Sequence, residues 1–152
     1  MKTETSILQI FNESDVKVPL SQTQAGLVLE IISKYEKAKF ILVELVYVNE
    51  SEIVRINKEH LDREYVTDII SFRYDDGAES EDHSSIEGTL FCCAPRIFEQ
   101  SEEFNEPAER EFKRIFIHGL LHLIGYQDDT KAKKEEMTKL ENSYLGLLES
   151  NK

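Results

Sequence analysis

The sequence lacks tryptophan and is poor in residues that interrupt or cross-link a chain, with six glycines, three prolines and two cysteines among 152 residues. It also lacks any apolar run near the roughly 20 residues that a membrane-spanning helix needs. The segment from Met1 to Phe11 has neither the apolar core nor the small-residue cleavage site of a signal peptide. We therefore expect a protein that neither spans a membrane nor is exported, located in the cytoplasm.

The two cysteines, Cys92 and Cys93, are adjacent in the chain. Neighbouring side chains on a strand point to opposite faces, so these two thiols cannot easily bridge each other. Free thiols fit a reducing compartment. A thiolate is also a metal ligand, but in the absence of a second cysteine pair we interpret both as small core residues.

Basic residues are scarce as well. Eighteen lysines and arginines stand against thirty acidic residues, and the net charge is -12. A field of that sign repels phosphate, so an RNA partner requires a local basic patch. Clusters of charge are usually solvated faces. Four basic residues close in sequence to the candidate site could form such a patch: Arg96, Arg110, Lys113 and Arg114.

The remaining composition is that of a globular chain, with 40% hydrophobic and 32% charged residues. The length corresponds to one ordinary domain, and we expect a single domain over residues 1–152. Apolar periodicity predicts strands at Ile7–Phe11, Phe40–Val48, Val66–Tyr74 and Thr89–Cys93. It predicts helices at Ser21–Lys37, after Asn49, from Pro95 toward Glu103, from Asn105 to Gly125, and from Thr130 to about Leu148.

This order of elements lacks a regular alternation of strand and helix. It predicts an α+β fold in which helices flank a small mixed sheet of about four strands. The acidic stretch Asp75–Glu87 is interpreted as a flexible excursion. Asn49, followed by Glu52, is a predicted helix cap, and so is Asn105, because the proline two residues later is tolerated in a first helical turn.

The chemistry of the chain is concentrated in the string IHGLLHLIGYQDD. His118 and His122 are four residues apart, so both imidazoles project from one helix face about one turn apart. Gly125 is predicted to end the helix. Asp128 or Asp129 can then turn back toward the same point. Two histidines, a carboxylate and an open position for water are typical of a catalytic zinc site.

Histidines on a largely apolar helix can also be buried and bonded to their neighbours, and a bare H-x-x-x-H pattern favours that alternative. The glycine stop and the two acids that follow it favour metal binding. Gly119 stands where a zinc protease has the glutamate that acts as general base. Peptide hydrolysis therefore lacks its expected catalyst.

The string from His118 to Tyr126, HGLLHLIGY, resembles the signature of the YbeY endoribonuclease family. The resemblance continues in the same order through further segments of the chain: Asn57, Thr67–Phe72, Gly88 and Glu136–Met137. It covers most of the sequence. The family's third metal ligand is a histidine, and Asp128 stands at that place.

The resemblance implies a single-strand-specific endoribonuclease that acts in 16S rRNA 3′-end maturation and ribosome quality control. It implies ribosomal RNA and ribosomal subunits as partners and one Zn²⁺, or another divalent metal, per chain. The implied metal-binding and catalytic residues are His118, His122 and Asp128. Aspartate is a competent zinc ligand, and it shifts the expected preference toward harder ions such as Mn²⁺.

One departure from the family concerns the substrate. The family has an arginine shortly before the Thr67–Asp68 pair, where this chain has Leu61. Arg63 and Arg114 are the candidate phosphate contacts, because a guanidinium binds two phosphate oxygens at once; an ion pair is the commoner role for Arg114. The missing arginine keeps a second hypothesis open, a non-catalytic, metal-stabilised ribosome-assembly or adaptor protein.

Overall fold

The computed structural model of the chain describes residues 7–74 and 85–150. Its strands are β1 (Ile7–Asn12), β2 (Phe40–Val48), β3 (Ile69–Arg73) and β4 (Ile86–Cys93). Its helices are α1 (Gln22–Glu36), α2 (Glu50–Leu61), α3 (Ala94–Glu103), α4 (Ala108–Ile124) and α5 (Lys131–Ser150). In the described ranges, no helix is both long and apolar enough to cross a membrane.

The strands form one mixed sheet in the order β1-β2-β4-β3. β2 pairs in parallel with both β1 and β4, and β3 runs antiparallel to β4. Helices cover the sheet, which confirms the predicted α+β fold and the mixed sheet of four strands. The larger core contains buried side chains from α1, α3, α4 and α5. A smaller core contains Ile53 and Ile56 of α2.

The two cysteines lie in different cores, with Cys92 in the larger and Cys93 in the smaller. Both are buried and free. Their burial on opposite faces of β4 agrees with the interpretation of both as small core residues.

Helix α4 approaches the sheet closely at a glycine. A Cβ atom on Gly119 would lie 2.6 Å from Cδ1 of Ile69 and 2.8 Å from Cδ1 of Leu90. Both distances are shorter than normal carbon contacts, so a side chain here would require the ends of Ile69 and Leu90, or the helix itself, to shift. Gly119 thus permits the close packing of α4, the helix that carries both histidines, against β3 and β4.

Two strand boundaries differ from the prediction. β4 begins at Ile86, upstream of the predicted start at Thr89, because Ile86 already pairs with Phe40 of β2. β3 begins at Ile69 instead of Val66, since its pairing with β4 starts there. Most of the predicted acidic excursion, residues 75–84, lies outside the described residues.

Neither asparagine caps a helix through its side chain. Asn49 precedes α2, but its side-chain oxygen accepts from the backbone N–H of Asp15 at 3.1 Å and its amide donates to the Asp15 carboxylate at 3.0 Å. At α4 the capping position belongs to Pro107, and Asn105 adopts a left-handed backbone conformation with φ of 56°. The predicted cap position is therefore correct at Asn49, which is the N-cap residue of α2 although its side chain bonds to Asp15, and the prediction was wrong at Asn105.

Candidate metal centre

Three side chains converge where α4 ends. The Nε2 atoms of His118 and His122 are 3.0 Å apart, and Oδ2 of Asp128 lies 3.5 Å from the Nε2 atom of each histidine. One ligand atom from each residue falls within 4.8 Å of the others. The structure thus brings together the two predicted histidines and the aspartate.

The cluster has dimensions suited to a metal ion. Two ligand atoms about 2.0–2.1 Å from a tetrahedral zinc ion are about 3.3 Å from each other. The separations of 3.0 and 3.5 Å bracket that distance. The three side chains are between 22% and 38% exposed, so an ion and a solvent molecule can reach them. The donor set therefore fits a divalent cation with an open coordination position.

Local structure explains how Asp128 reaches the histidines. Gly125 ends α4 with φ of 131°, and its backbone N–H donates to carbonyl oxygens of the last turn. The next residue is anchored, since the Tyr126 hydroxyl donates to Glu36 at 2.7 Å. Asp129 faces away from the cluster toward Lys133, at 3.3 Å. Of the two acids that the sequence left open, only Asp128 lies beside the histidines.

A further acid, Glu141 of α5, contacts the cluster from behind. Its Oε2 atom lies 2.7 Å from Nδ1 of His118. Glu141 is buried, and a carboxylate in that place accepts the Nδ1 proton. The Nε2 lone pair of His118 then remains available on the side of His122 and Asp128.

Glu141 was not among the site residues predicted from the sequence, although its position on α5 was a clue. It lies four residues after Met137 and three before Tyr144, on the buried face of an amphipathic helix. An acid on such a face requires a partner. The sequence does not reveal that the partner is a histidine 23 residues away.

Arg114 is part of the same network. Its guanidinium lies 3.3 Å from Glu141 and 3.6 Å from Glu111, whose side chain is only 2% exposed. Burial raises the pKa of Glu111, and the nearby charge of Arg114 offsets part of that effect. The ion pair expected for Arg114 is therefore present, and it is partly buried beside the cluster.

The two histidines have different electrostatic surroundings. Burial lowers the pKa of His118, but the hydrogen bond and charge of Glu141 outweigh it, so that the net shift is upward. At His122 burial and the charge of His118 both lower the pKa. The surroundings of His122 thus favour the neutral form that binds a metal, whereas Glu141 makes protonation of His118 more favourable, so that a proton competes more strongly with a metal there.

A cleft of about 270 Å³ opens beside the cluster. His118, Asp128, Arg114, Glu111 and Glu141 all line it. Its other walls come from the start of β3, the end of α3, and α4 and α5: Asp68, Gln100, Phe104, Ile115, Lys134, Met137 and Thr138.

The second candidate phosphate contact lies elsewhere. Arg63 does not line the cleft, and its guanidinium donates to the hydroxyl of Tyr65 at 3.2 Å. Leu61, at the position of the family's arginine, is the last residue of α2 and is 42% exposed. Arg114 is therefore the one of the two predicted arginines that the structure brings to the cluster.

The sequence is similar to a family of known endoribonucleases. Residues 9–149 match the family described as Endoribonuclease YbeY. A protein of that name from Chloroherpeton thalassium is 34% identical over 93% of this chain and 96% of its own length. Another, from Cytophaga hutchinsonii, is 32% identical over 97% of this chain and 98% of its own.

A solved structure is similar as well. The solution structure of a Thermotoga maritima protein matches 95% of this chain and 93% of its own, with a TM-score of 0.60 and 27% sequence identity. The family match covers nearly the whole chain, and the relatives align over almost their full lengths. The chain therefore belongs to the YbeY endoribonuclease family.

Proposed function

We propose that this chain is a single-domain, metal-dependent endoribonuclease that hydrolyses phosphodiester bonds in single-stranded RNA. The observation that carries the proposal is the partly exposed cluster of His118, His122 and Asp128, which opens into a cleft. The names of the relatives support RNA as the substrate. We further propose the cytoplasm as its location.

His118, His122 and Asp128 are the residues that would hold the cation, with Zn²⁺ as the first candidate. A divalent cation there supplies Lewis-acid chemistry, polarising a phosphoryl oxygen and lowering the pKa of water. Glu141 holds the proton of His118 on Nδ1 and orients the ring.

Membership of the family supports a proposal for the biological role. We propose ribosomal RNA and ribosomal subunits as the partners, and 16S rRNA 3′-end maturation and ribosome quality control as the processes. The net charge of -12 means that contacts with RNA must be local.

A second candidate function is a metal-stabilised ribosome-assembly or adaptor protein without catalysis. The positions of the two candidate arginines favour it. Arg114 forms ion pairs with two acids, and Arg63 does not line the cleft. A nuclease usually has a free cationic side chain that stabilises the negative charge of the phosphate in the transition state. This candidate predicts association with ribosomal subunits but no cleavage.

Cleavage of a labelled, unstructured RNA by metal-free protein, with and without added Zn²⁺ or Mn²⁺, tests the proposal. We expect internal cleavage only with the metal, little cleavage of a matched duplex, and none by His118→Ala. Cleavage that survives this substitution unchanged would contradict the metal mechanism. Co-sedimentation with ribosomal subunits by protein that never cuts single strands would favour the adaptor.

A further inference from the structure

An aromatic side chain forms the rim of the cleft at the end of α3. Phe104 is 61% exposed, more than any other large hydrophobic side chain in the described ranges. Its backbone N–H donates to the carbonyl of Gln100 at 2.9 Å, which anchors the residue in the turn before α4. A single exposed phenylalanine is common on protein surfaces. This one, however, lies in the same cleft as His118 and Asp128.

The floor and one wall of the cleft complement that ring. Ile115 and Met137 are nearly fully buried and supply an apolar floor. On the wall, the amide of Gln100 donates to the carboxylate of Asp68 at 3.1 Å. Among the described residues the amide oxygen of Gln100 has no hydrogen-bond partner, so it can accept from a ligand.

The cleft also contains a cation that is not neutralised. Lys134 is exposed, and within residues 7–74 and 85–150 no acid pairs with its ammonium group. Arg114, by contrast, is held by Glu141 and Glu111. Lys134 is therefore the cation of the cleft that is available to a phosphate.

These features match the chemistry of an unpaired nucleotide. Single-stranded bases bind proteins by stacking on aromatic rings and by hydrogen bonds at their edges, and cations contact the phosphates. The volume of the cleft, about 270 Å³, is just below roughly 300 Å³, the lower end of the usual range for small-molecule pockets. One nucleotide is thus the suitable occupant.

We propose that the cleft is a nucleotide subsite in which one base of single-stranded RNA stacks on Phe104, next to the metal cluster. This inference rests on the proposed function, because it assumes that RNA is the ligand. Gln100 contacts the base edge, and Lys134 contacts a phosphate. Both faces of a base in a duplex are already stacked, so the subsite selects single strands over duplexes.

The test is binding of a short fluorescent single-stranded RNA to metal-free full-length protein, measured by anisotropy so that cleavage plays no part. Phe104→Ala should weaken binding by roughly 5- to 150-fold, the range for loss of one base–aromatic stack. Phe104→Trp should retain affinity. The matched control is Phe11→Ala, since Phe11 is 44% exposed on β1 and does not line the cleft.

An oligomer without bases separates stacking from other effects. Phe104→Ala should bind this abasic strand as the wild type does, whereas Lys134→Gln should weaken both strands alike because it acts on phosphate. Equal affinity of Phe104→Ala and wild type for the natural strand overturns the subsite. So does an equal loss on the abasic strand, or no binding of single strands by the wild type.

The subsite and the nuclease can fail separately. Phe104-dependent binding by protein that never cuts RNA supports the subsite and contradicts the nuclease. Metal-dependent cleavage with an unchanged rate and affinity in Phe104→Ala supports the nuclease and overturns the subsite.

Discussion

The carboxylate of Glu141 lies 2.7 Å from Nδ1 of His118, and the opposite ring nitrogen faces His122 and Asp128. This arrangement selects one tautomer of His118 before any ion arrives. It also places a buried negative charge behind the imidazole, which strengthens the ring as a ligand.

Glu141→Gln should weaken the binding of Zn²⁺ by between about 10- and 100-fold, the usual cost of losing a partner of a metal-binding histidine. The amide keeps the shape of the side chain but removes its charge. Competition against a chromophoric zinc chelator measures the affinity. Glu135→Gln is the control, since Glu135 is exposed on the same helix; equal affinities in the two variants would count against the role of Glu141.

Arg114 compensates two buried acids, so its replacement should destabilise the fold. Removing one partner of a buried ion pair costs on the order of 3 kcal/mol. We expect about that loss for Arg114→Met, measured by urea unfolding of metal-free protein at neutral pH. Arg55→Met is the control, because Arg55 pairs with Glu52 and Glu59 on the surface and its replacement should change the stability little.

The decrease in the free energy of unfolding caused by Arg114→Met should become smaller as the pH falls. The pKa of Glu111 is raised by burial, so the folded state holds its proton more tightly than the unfolded state does. The free energy of unfolding therefore falls as the pH rises from the ordinary glutamate pKa through the folded value. Without Arg114 that pKa rises further, and protonation relieves more of the cost. If the destabilisation by Arg114→Met did not depend on pH, the unpaired charge of Glu111 would not be its cause.

The packing of Gly119 predicts a different kind of defect. Gly119→Ala should destabilise the protein by about 1–3 kcal/mol, because the added methyl group overlaps Ile69 and Leu90. Gly26→Ala in α1 and Gly146→Ala in α5 meet nothing within 4 Å and should stabilise it by up to about 1 kcal/mol. Thermal unfolding of the three variants makes the comparison. Stabilisation by Gly119→Ala would mean that α4 does not approach the sheet so closely.

Short-range patterns predicted the elements and much of the candidate site. The spacing of His118 and His122 and the stop at Gly125 depend only on helix geometry, and both are present in the structure. The role of Glu141 depends on the packing of α5 against α4, and that of Asn49 on a contact with Asp15. Sequence spacing carries no information about such distant pairs.

Asp128 and Asp129 offer a direct test of the third ligand. Asp128 lies 3.5 Å from both histidines, whereas Asp129 pairs with Lys133. Protein purified without a chelator or histidine tag should contain about one zinc ion per chain, as three protein ligands and an open position suffice for zinc. Asp128→Ala should lose that metal and Asp129→Ala should keep it, as measured by mass spectrometry. Retention by Asp128→Ala with loss by Asp129→Ala would assign the ligand to the other acid, and an absence of metal from the wild type would move the interpretation toward the non-catalytic adaptor.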